Sequence, residues 1–386
     1  MITKLRRYID KIFKKSYNKD SKNSIFLSTL ERRSMMSVLY DFTASPDTVW
    51  ITVNRTCNFR CVWCYAEGSK YSRTFDMTLE KAKEILGVVS DLKIRHVTLT
   101  GGEPTLWPYL FEFIDSIHQR DMTCSMITNA CEFGNDNFWQ KYQKHSCDSL
   151  GLSIKGVTIR QFRDITRVPR LYEQSSLGLK RAFSLHDKVD VGTVFSTKTT
   201  LADIIAIAER AREYGAKNFT LSPCGITFKN GIPCDDYVFE IEQLIPNIIA
   251  LYPKLDEIYG ENFTLEMSLP FCFWPNDFLE KLMLKKQLAS ECHVQDRSGL
   301  VFDYNGDVLF CNNMLETRIA KFGNDYVDGE TLLSFLNGDN LKSQYAELLR
   351  YPAECCSICT KRQICRGGCP LNWAVLPYEK CTPILQ

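Results

Sequence analysis

The chain has no long uninterrupted apolar run and only five histidines. Its apolar stretches are broken by charge well short of the ~20 residues a membrane helix requires, so no transmembrane span is expected. Lys and Arg number 47 against 46 Asp and Glu, a net charge of +1. No global excess of either sign points to nucleic acid. A secretory signal is also missing: Met1-Ile2-Thr3-Lys4 leads into an amphipathic segment without an apolar core. Thiols are then expected to stay reduced, and the compartment to be cytoplasmic.

Against these absences stands one excess, 17 cysteines in 386 residues. Without export, that number argues for metal or cluster ligation rather than disulfides. A chain of this length buries a full core and is expected to carry one large domain plus a smaller one.

Three of the thiols lie on one short loop. Cys57, Cys61 and Cys64 read C-x3-C-x2-C within Val53-Asn54-Arg55-Thr56-Cys57-Asn58-Phe59-Arg60-Cys61-Val62-Trp63-Cys64-Tyr65. Such a loop can hold three corners of a [4Fe–4S] cube, whose irons take thiolate ligands. The next cysteine is Cys124. One iron is therefore left open to a small molecule, as the open position of a catalytic zinc site is. The alternatives are a zinc knuckle or a disulfide framework, but zinc takes four ligands and no histidine is close.

From Thr48 onward, short β-branched runs alternate with helical stretches. Strands are predicted at Val49–Val53, His96–Thr100, Ser125–Thr128, Ser149–Ser153, Val189–Phe195 and Asn218–Ser222. Helices are predicted at Thr78–Asp91, Pro108–Arg120, Asn135–Lys144, Ser175–His186 and Leu201–Tyr214. Six βα units make an α/β fold, an open, partial (β/α)6 barrel, with reactive groups at the C-terminal strand ends. Each singled-out motif sits at such an end: the cysteine loop, Gly101-Gly102-Glu103-Pro104, Thr128-Asn129, Ser153 and Ser222-Pro223-Cys224. Residues 1–45 form a basic extension whose Ile2, Leu5, Ile9, Ile12 and Phe13 share one helical face. That face is expected to pack on its own domain.

The cysteine loop, with aromatic Trp63 before its last cysteine, resembles that of radical S-adenosylmethionine (SAM) enzymes. The resemblance implies that the unique iron chelates SAM and that electron transfer yields methionine and a 5′-deoxyadenosyl radical. Gly101-Gly102-Glu103-Pro104 resembles the family's GGEP motif, which implies contact with the SAM amino group. Glycines there let backbone approach a ligand closely. Ser149–Gly156 looks like the family's fourth-strand segment, with Ser153 implied at the SAM ribose or carboxylate and Lys155 replacing the usual acid. Arg167, ahead of Arg170, is the implied partner of the SAM carboxylate, and Asn129 joins the SAM-facing set.

After residue 270 the βα rhythm fades and cysteines resume. Cys292, Gly306 and Cys311 read C-x13-G-x4-C; Cys356, Cys359, Cys365 and Cys369 read C-x2-C-x5-C-x3-C; Cys381 follows. This order resembles the SPASM domain of radical SAM enzymes, which implies two auxiliary [4Fe–4S] clusters and three in all. The implied outer set is Cys356, Cys359, Cys365 and Cys381, and the inner set is Cys292, Cys311 and Cys369. The fourth inner position stays open, with Cys272 and Cys355 as candidates that otherwise read as buried thiols. Asn305-Gly306 between two short strand signals predicts a hairpin with a type I′ turn. The expected division is a basic extension at 1–45, the partial barrel at 46–270 and a Cys-rich domain at 271–386. Phe271, Phe273 and Trp274 read as core.

SPASM enzymes often modify ribosomally made peptides, so a peptide or protein side chain is the leading substrate expectation, placing the chain in natural-product peptide maturation. Residues 1–45 look too short for a precursor-binding domain, and a separate binding protein is then implied. Flavodoxin or ferredoxin is the implied electron donor. The alternatives are the same radical chemistry on an aminoglycoside, nucleoside or amino acid, and a non-enzymatic electron carrier. If the reaction is an epimerisation, Cys224 is the candidate hydrogen donor.

Overall fold

The computed structural model describes residues 46–66, 74–185, 188–229, 232–315, 317–348 and 353–385. The basic segment predicted at 1–45 lies outside the described residues.

Six parallel strands form the centre: β1 (Thr48–Asn54), β2 (His96–Gly101), β3 (Thr123–Thr128), β4 (Ser149–Ser153), β5 (Val189–Phe195) and β6 (Phe219–Pro223). They lie in chain order across the sheet, as successive right-handed βα units require. Helices α1 (Leu79–Asp91), α2 (Leu110–His118), α3 (Asp136–Tyr142), α4 (Ile159–Thr166), α5 (Tyr172–Leu185) and α6 (Leu201–Glu213) connect them. The local causes are plain. Thr78 caps α1 by accepting from the Lys81 amide, and Ala82, Ile85, Leu86 and Val89 turn one face to the sheet. Thr158 with Gln161, and Thr200 with Asp203, close capping boxes on α4 and α6. Side chains such as Ile85, Leu86 and Phe113 are fully buried, each contributing about 1.5–3 kcal/mol.

The sheet does not stop at six strands. Beyond β6 lie β7 (Thr227–Lys229) and β8 (Ile232–Cys234), a separate hairpin, and then α7 (Ile241–Tyr259). The main sheet continues with β9 (Phe263–Glu266) beside β6, followed by α8 (Asn276–Leu284) and β10 (Leu288–Ala289) beside β9. At the opposite edge β11 (Gly299–Phe302) pairs parallel with β1, and β12 (Val308–Leu309) and β13 (Arg318–Ala320) follow antiparallel. The result is an eleven-stranded open sheet from β10 to β13. The predicted partial barrel is present, and the predicted C-terminal hairpin extends its first edge. Helix α9 (Gly329–Leu336) packs against α1, its Gly329 amide donating to Asp91, and α10 (Asp339–Leu348) follows it.

The hairpin turn differs from expectation. A type I′ turn needs positive φ at both central residues. Among the described residues only Gly306 of that pair has it, at +85°. The Gly306 amide donates to the Asp303 carbonyl, and the Asp303 amide donates to the Asp307 carbonyl, each at 2.8 Å. The turn is thus a three-residue loop with a glycine bulge.

Candidate active site

The cysteine loop leaves the C-terminal end of β1 and is held from two sides. The amides of Arg60 and Val62 donate to the carbonyls of Thr166 and Ile165, at 2.9 and 3.0 Å, where α4 ends. Phe59 is buried edge-on against Phe162 of that helix, with centroids 5.1 Å apart. The Arg60 guanidinium folds back onto the carbonyls of Cys57 and Phe59 at 2.6 and 2.7 Å. On the other side, Arg55 forms an ion pair with Asp303 of the β11–β12 turn at 2.5 Å, both side chains 2 % exposed. Burial raises the Asp303 carboxyl, and Arg55 pulls it back down.

These contacts bring Cys57, Cys61 and Cys64 together. Burial pushes the Cys57 thiol up to about 12, with further upward pressure from the Glu103 carboxylate and the other two thiols. A single zinc ion would draw its sulfurs to about 3.8 Å apart, given Zn–S near 2.3 Å. Among the described residues, the only three Cys, His, Asp or Glu donors within 4.8 Å of one another are His118, Cys124 and Asp148. Those lie at the opposite end of the sheet, where Asp148 is spoken for by the Cys124 amide and His118. The three thiols of the cysteine loop are not among the donors so grouped.

The glycine pair packs against this loop. A Cβ on Gly101 would overlap Asn54, and one on Gly102 would overlap the carbonyls of Thr56 and Arg55. The stem of the cysteine loop, crossing over them, leaves no room for a side chain at either glycine. The Gly102 and Glu103 amides donate to the carbonyls of Asn54 and Thr56. Pro104 opens a short 3-10 turn. The Glu103 carboxylate is buried and accepts from the Thr105 amide and hydroxyl, the Thr128 hydroxyl and the Asn129 amide. Burial raises this carboxyl, while the hydrogen bonds hold it down. It braces three strand ends beside Cys57.

Asn129 reaches from the end of β3 to Asn58 in the cysteine loop at 2.8 Å. Ser153 accepts from Lys155 Nζ at 2.6 Å, and that ammonium stands 5.9 Å from the Trp63 ring centroid. The lysine that departs from the family's pattern thus faces the cysteine loop. Arg167 is exposed, in a left-handed turn at the end of α4, immediately after the residue bonded to Arg60. Cys224 shares a cavity of ≈ 250 Å³ with Trp63, Cys64, Lys229, Cys234 and Asp236. Burial, then the neighbouring Cys234, pushes its thiol up to about 12, so it carries its hydrogen at neutral pH.

The thiols after residue 270 form two groups. Cys311 has Cys369 and Cys292 as neighbours, and burial first of all pushes Cys311 and Cys369 up to about 12. Cys356, Cys359 and Cys365 line a second cavity, of ≈ 360 Å³, together with Cys272 and Cys355. Cys272 and Cys355 thus fall with the outer group, not the inner one. The Cys272 thiol is held down at about 6 by a hydrogen bond from Cys381, and the same bond pushes Cys381 up. Between the groups stands Tyr378, its buried hydroxyl without a partner among the described residues and its neighbours Cys381, Cys369, Cys356 and Cys365. A hydroxyl stranded among four thiols is a donor that the sulfurs of bound clusters would satisfy. Arg55, Asn58, Cys272 and Tyr378 have no local signature, and only the fold shows their place.

Residues 51–231 match the family model of the radical SAM superfamily. The chain carries a radical SAM domain. Proteins of this superfamily use a [4Fe–4S] cluster and SAM. In fold, the chain is similar to Streptococcus suis SuiB bound to S-adenosylmethionine: TM-score 0.65, 16% identity, covering 97% of this chain and 87% of that one. It is also similar to anSMEcpe with bound AdoMet and Cp18Cys peptide: TM-score 0.59, 15% identity, covering 88% and 92%. In sequence, it is 30% identical over 135 residues to a probable GTP 3′,8-cyclase of Thermococcus kodakarensis, covering 35% of this chain and 43% of that one. The GTP 3′,8-cyclase of Haemophilus ducreyi is 27% identical over 189 residues, covering 47% and 54%. The chain spans about half the length of these curated relatives. Among the described residues no helix is long and apolar enough to cross a membrane.

Proposed function

We propose that this protein is a radical SAM enzyme that modifies a side chain of a ribosomally made peptide, by oxidation, cross-linking or epimerisation. The observation that carries the reading is the meeting of Cys57, Cys61 and Cys64 with the glycine turn and Glu103 at the strand ends, beside a cavity that also holds Cys224. When bound, the cluster of Cys57, Cys61 and Cys64 supplies the electron that cleaves SAM and so generates the radical that removes a substrate hydrogen atom. Gly101, Gly102, Glu103 and Pro104 shape the SAM pocket, with Asn129 and Ser153 at the neighbouring strand ends. Trp63 and Lys155 close one wall, and Arg167 is the candidate partner of the SAM carboxylate. Cys224, protonated beside the same cavity, is positioned to return a hydrogen atom if the product is an epimer. Cys292, Cys311 and Cys369 would hold an inner auxiliary cluster and the outer thiols a second, three [4Fe–4S] clusters in all. This SPASM-like part is residues 271–386, after a barrel over 46–270. A flavodoxin or ferredoxin would deliver the electron in the cytoplasm, and a separate protein would present the precursor peptide.

A peptide substrate is supported by fold similarity that extends through the thiol-rich C-terminal region, to proteins crystallised with peptides. A nucleotide is the second reading, favoured by the cyclase relatives. Coexpression with each neighbouring short open reading frame, followed by mass spectrometry, tests the first reading. Loss of hydrogens, or deuterium uptake from heavy water, is expected in one peptide. Unchanged peptides together with conversion of GTP by the reconstituted protein would replace this reading with the second.

A further inference from the structure

The outer thiol group contains more sulfurs than one cluster uses. Cys272, Cys355, Cys356, Cys359, Cys365 and Cys381 are all neighbours there, while a [4Fe–4S] cube takes four. The family pattern would select Cys381 as the fourth. This chain is arranged otherwise.

We infer that Cys272 is the fourth ligand of the outer cluster, with Cys356, Cys359 and Cys365, and that Cys381 stands behind it as a supporting thiol. The inference rests on the reading that this region holds auxiliary clusters. Cys272, Cys356, Cys359 and Cys365 all line the ≈ 360 Å³ cavity, whereas Cys381 is absent from its wall. Cys381 is 9% exposed and packs within the main apolar core. Two of the four also receive a backbone amide at sulfur. Phe271 donates to Cys365 at 3.2 Å and Ile384 to Cys359 at 3.4 Å. Amide donors of this kind stabilise a thiolate. Cys381 instead neighbours the Cys272 sulfur from outside that wall, and its carbonyl accepts from Cys355 Sγ at 3.4 Å. Cys355, although it also lines the cavity, is thereby turned to backbone. Cys272 itself follows Phe271, whose amide binds Cys365, so one short turn (Phe271–Phe273) serves two ligands.

The test is iron and sulfide content, with electron paramagnetic resonance of the reduced protein, on full-length wild type and on Cys272→Ser, Cys355→Ser and Cys381→Ser. Wild type should hold about twelve irons, as three four-iron clusters. Cys272→Ser should lose the outer cluster's signal and about a third of the iron, keeping the SAM-responsive signal as evidence that it folds. Cys355→Ser and Cys381→Ser should keep the full load. A full load in Cys272→Ser, or loss of a cluster in either other variant, overturns the assignment. A wild-type load of about four irons overturns it together with the auxiliary-cluster reading. Alkylation mapping of wild type gives an answer independent of variant folding. Cys272 should be shielded in the loaded protein and labelled once iron is chelated, and equal labelling in both states overturns the assignment.

Discussion

The two cysteine regions are built on opposite principles. At residues 57–64 three thiols come from one loop, anchored by β1, α4 and the glycine turn. In the C-terminal region the thiols come from separated stretches with strands and helices between them, some of them on the 3-10 turns at Phe271–Phe273 and Glu354–Ile358. A local site is specified by spacing. A composite site is specified by the fold that gathers its pieces.

The two regions are nevertheless joined, and the joint is where the comparison is most easily broken. Arg55, two residues before Cys57, is paired in a buried position with Asp303 of the C-terminal hairpin. Removing one partner leaves a buried charge, at a cost of about 3–5 kcal/mol. Arg55→Leu is expected to lower the denaturation midpoint and to loosen both regions at once, seen as loss of iron from both. Stability unchanged in that variant would mean the regions are independent.

Gly102→Ala attacks only the local site. Its methyl would overlap the carbonyls of Arg55 and Thr56, so a loss of about 1–3 kcal/mol is expected from overpacking. Iron at the first loop should fall while auxiliary iron stays, as resolved by electron paramagnetic resonance. Equal loss at both would blur the distinction.

His293 provides a smaller effect on the composite side. Burial lowers its pKa to about 4 from an ordinary 6.5, against a backbone hydrogen bond at Phe310 that raises it. The unfolded chain takes up this proton below pH 6.5, while the folded protein stays neutral until about 4. The contribution is therefore intact above 6.5 and lost as pH falls from 6.5 towards 4. By pH 5.5 the loss is about 1 kcal/mol. His293→Phe keeps a ring against Trp50, which lies 4.6 Å away between centroids. Its stability should fall less than wild type's between pH 7.5 and 5.5 in denaturant titrations. Parallel pH curves would remove His293 from the account. Smallest of all, Tyr378→Phe should shift one auxiliary reduction potential to more negative values, since it removes a hydrogen-bond donor to cluster sulfur. An unshifted potential would place the hydroxyl elsewhere.

Most of the barrel was legible because βα units are local. The six strands lie within two residues of their predicted ends, with β4 and β5 at the same bounds. Helix α4 was missed for its eight residues, although Thr158 and Gln161 carry a capping box. Helix α7 was missed because Pro246 and Pro253 sit inside it, where an amide is lost at each. The pairing of β11 with β1 is a long-range event that no window shows. The same division holds in the site. Cys57, Cys61, Cys64 and the glycine turn announce themselves by spacing, but Cys272 has no motif and is found only through its place in the cavity wall. The crowding at the glycines was not legible for a similar reason: it comes from residues 54–56, at and just past the end of another strand.

The most direct test of the central claim is 5′-deoxyadenosine production by anaerobically reconstituted protein with SAM and dithionite, with iron content as the loading control. The account predicts product from wild type and none from the Cys57/Cys61/Cys64→Ala variant, which should retain its auxiliary iron. No product from fully loaded wild type, or equal product from the variant, would contradict it.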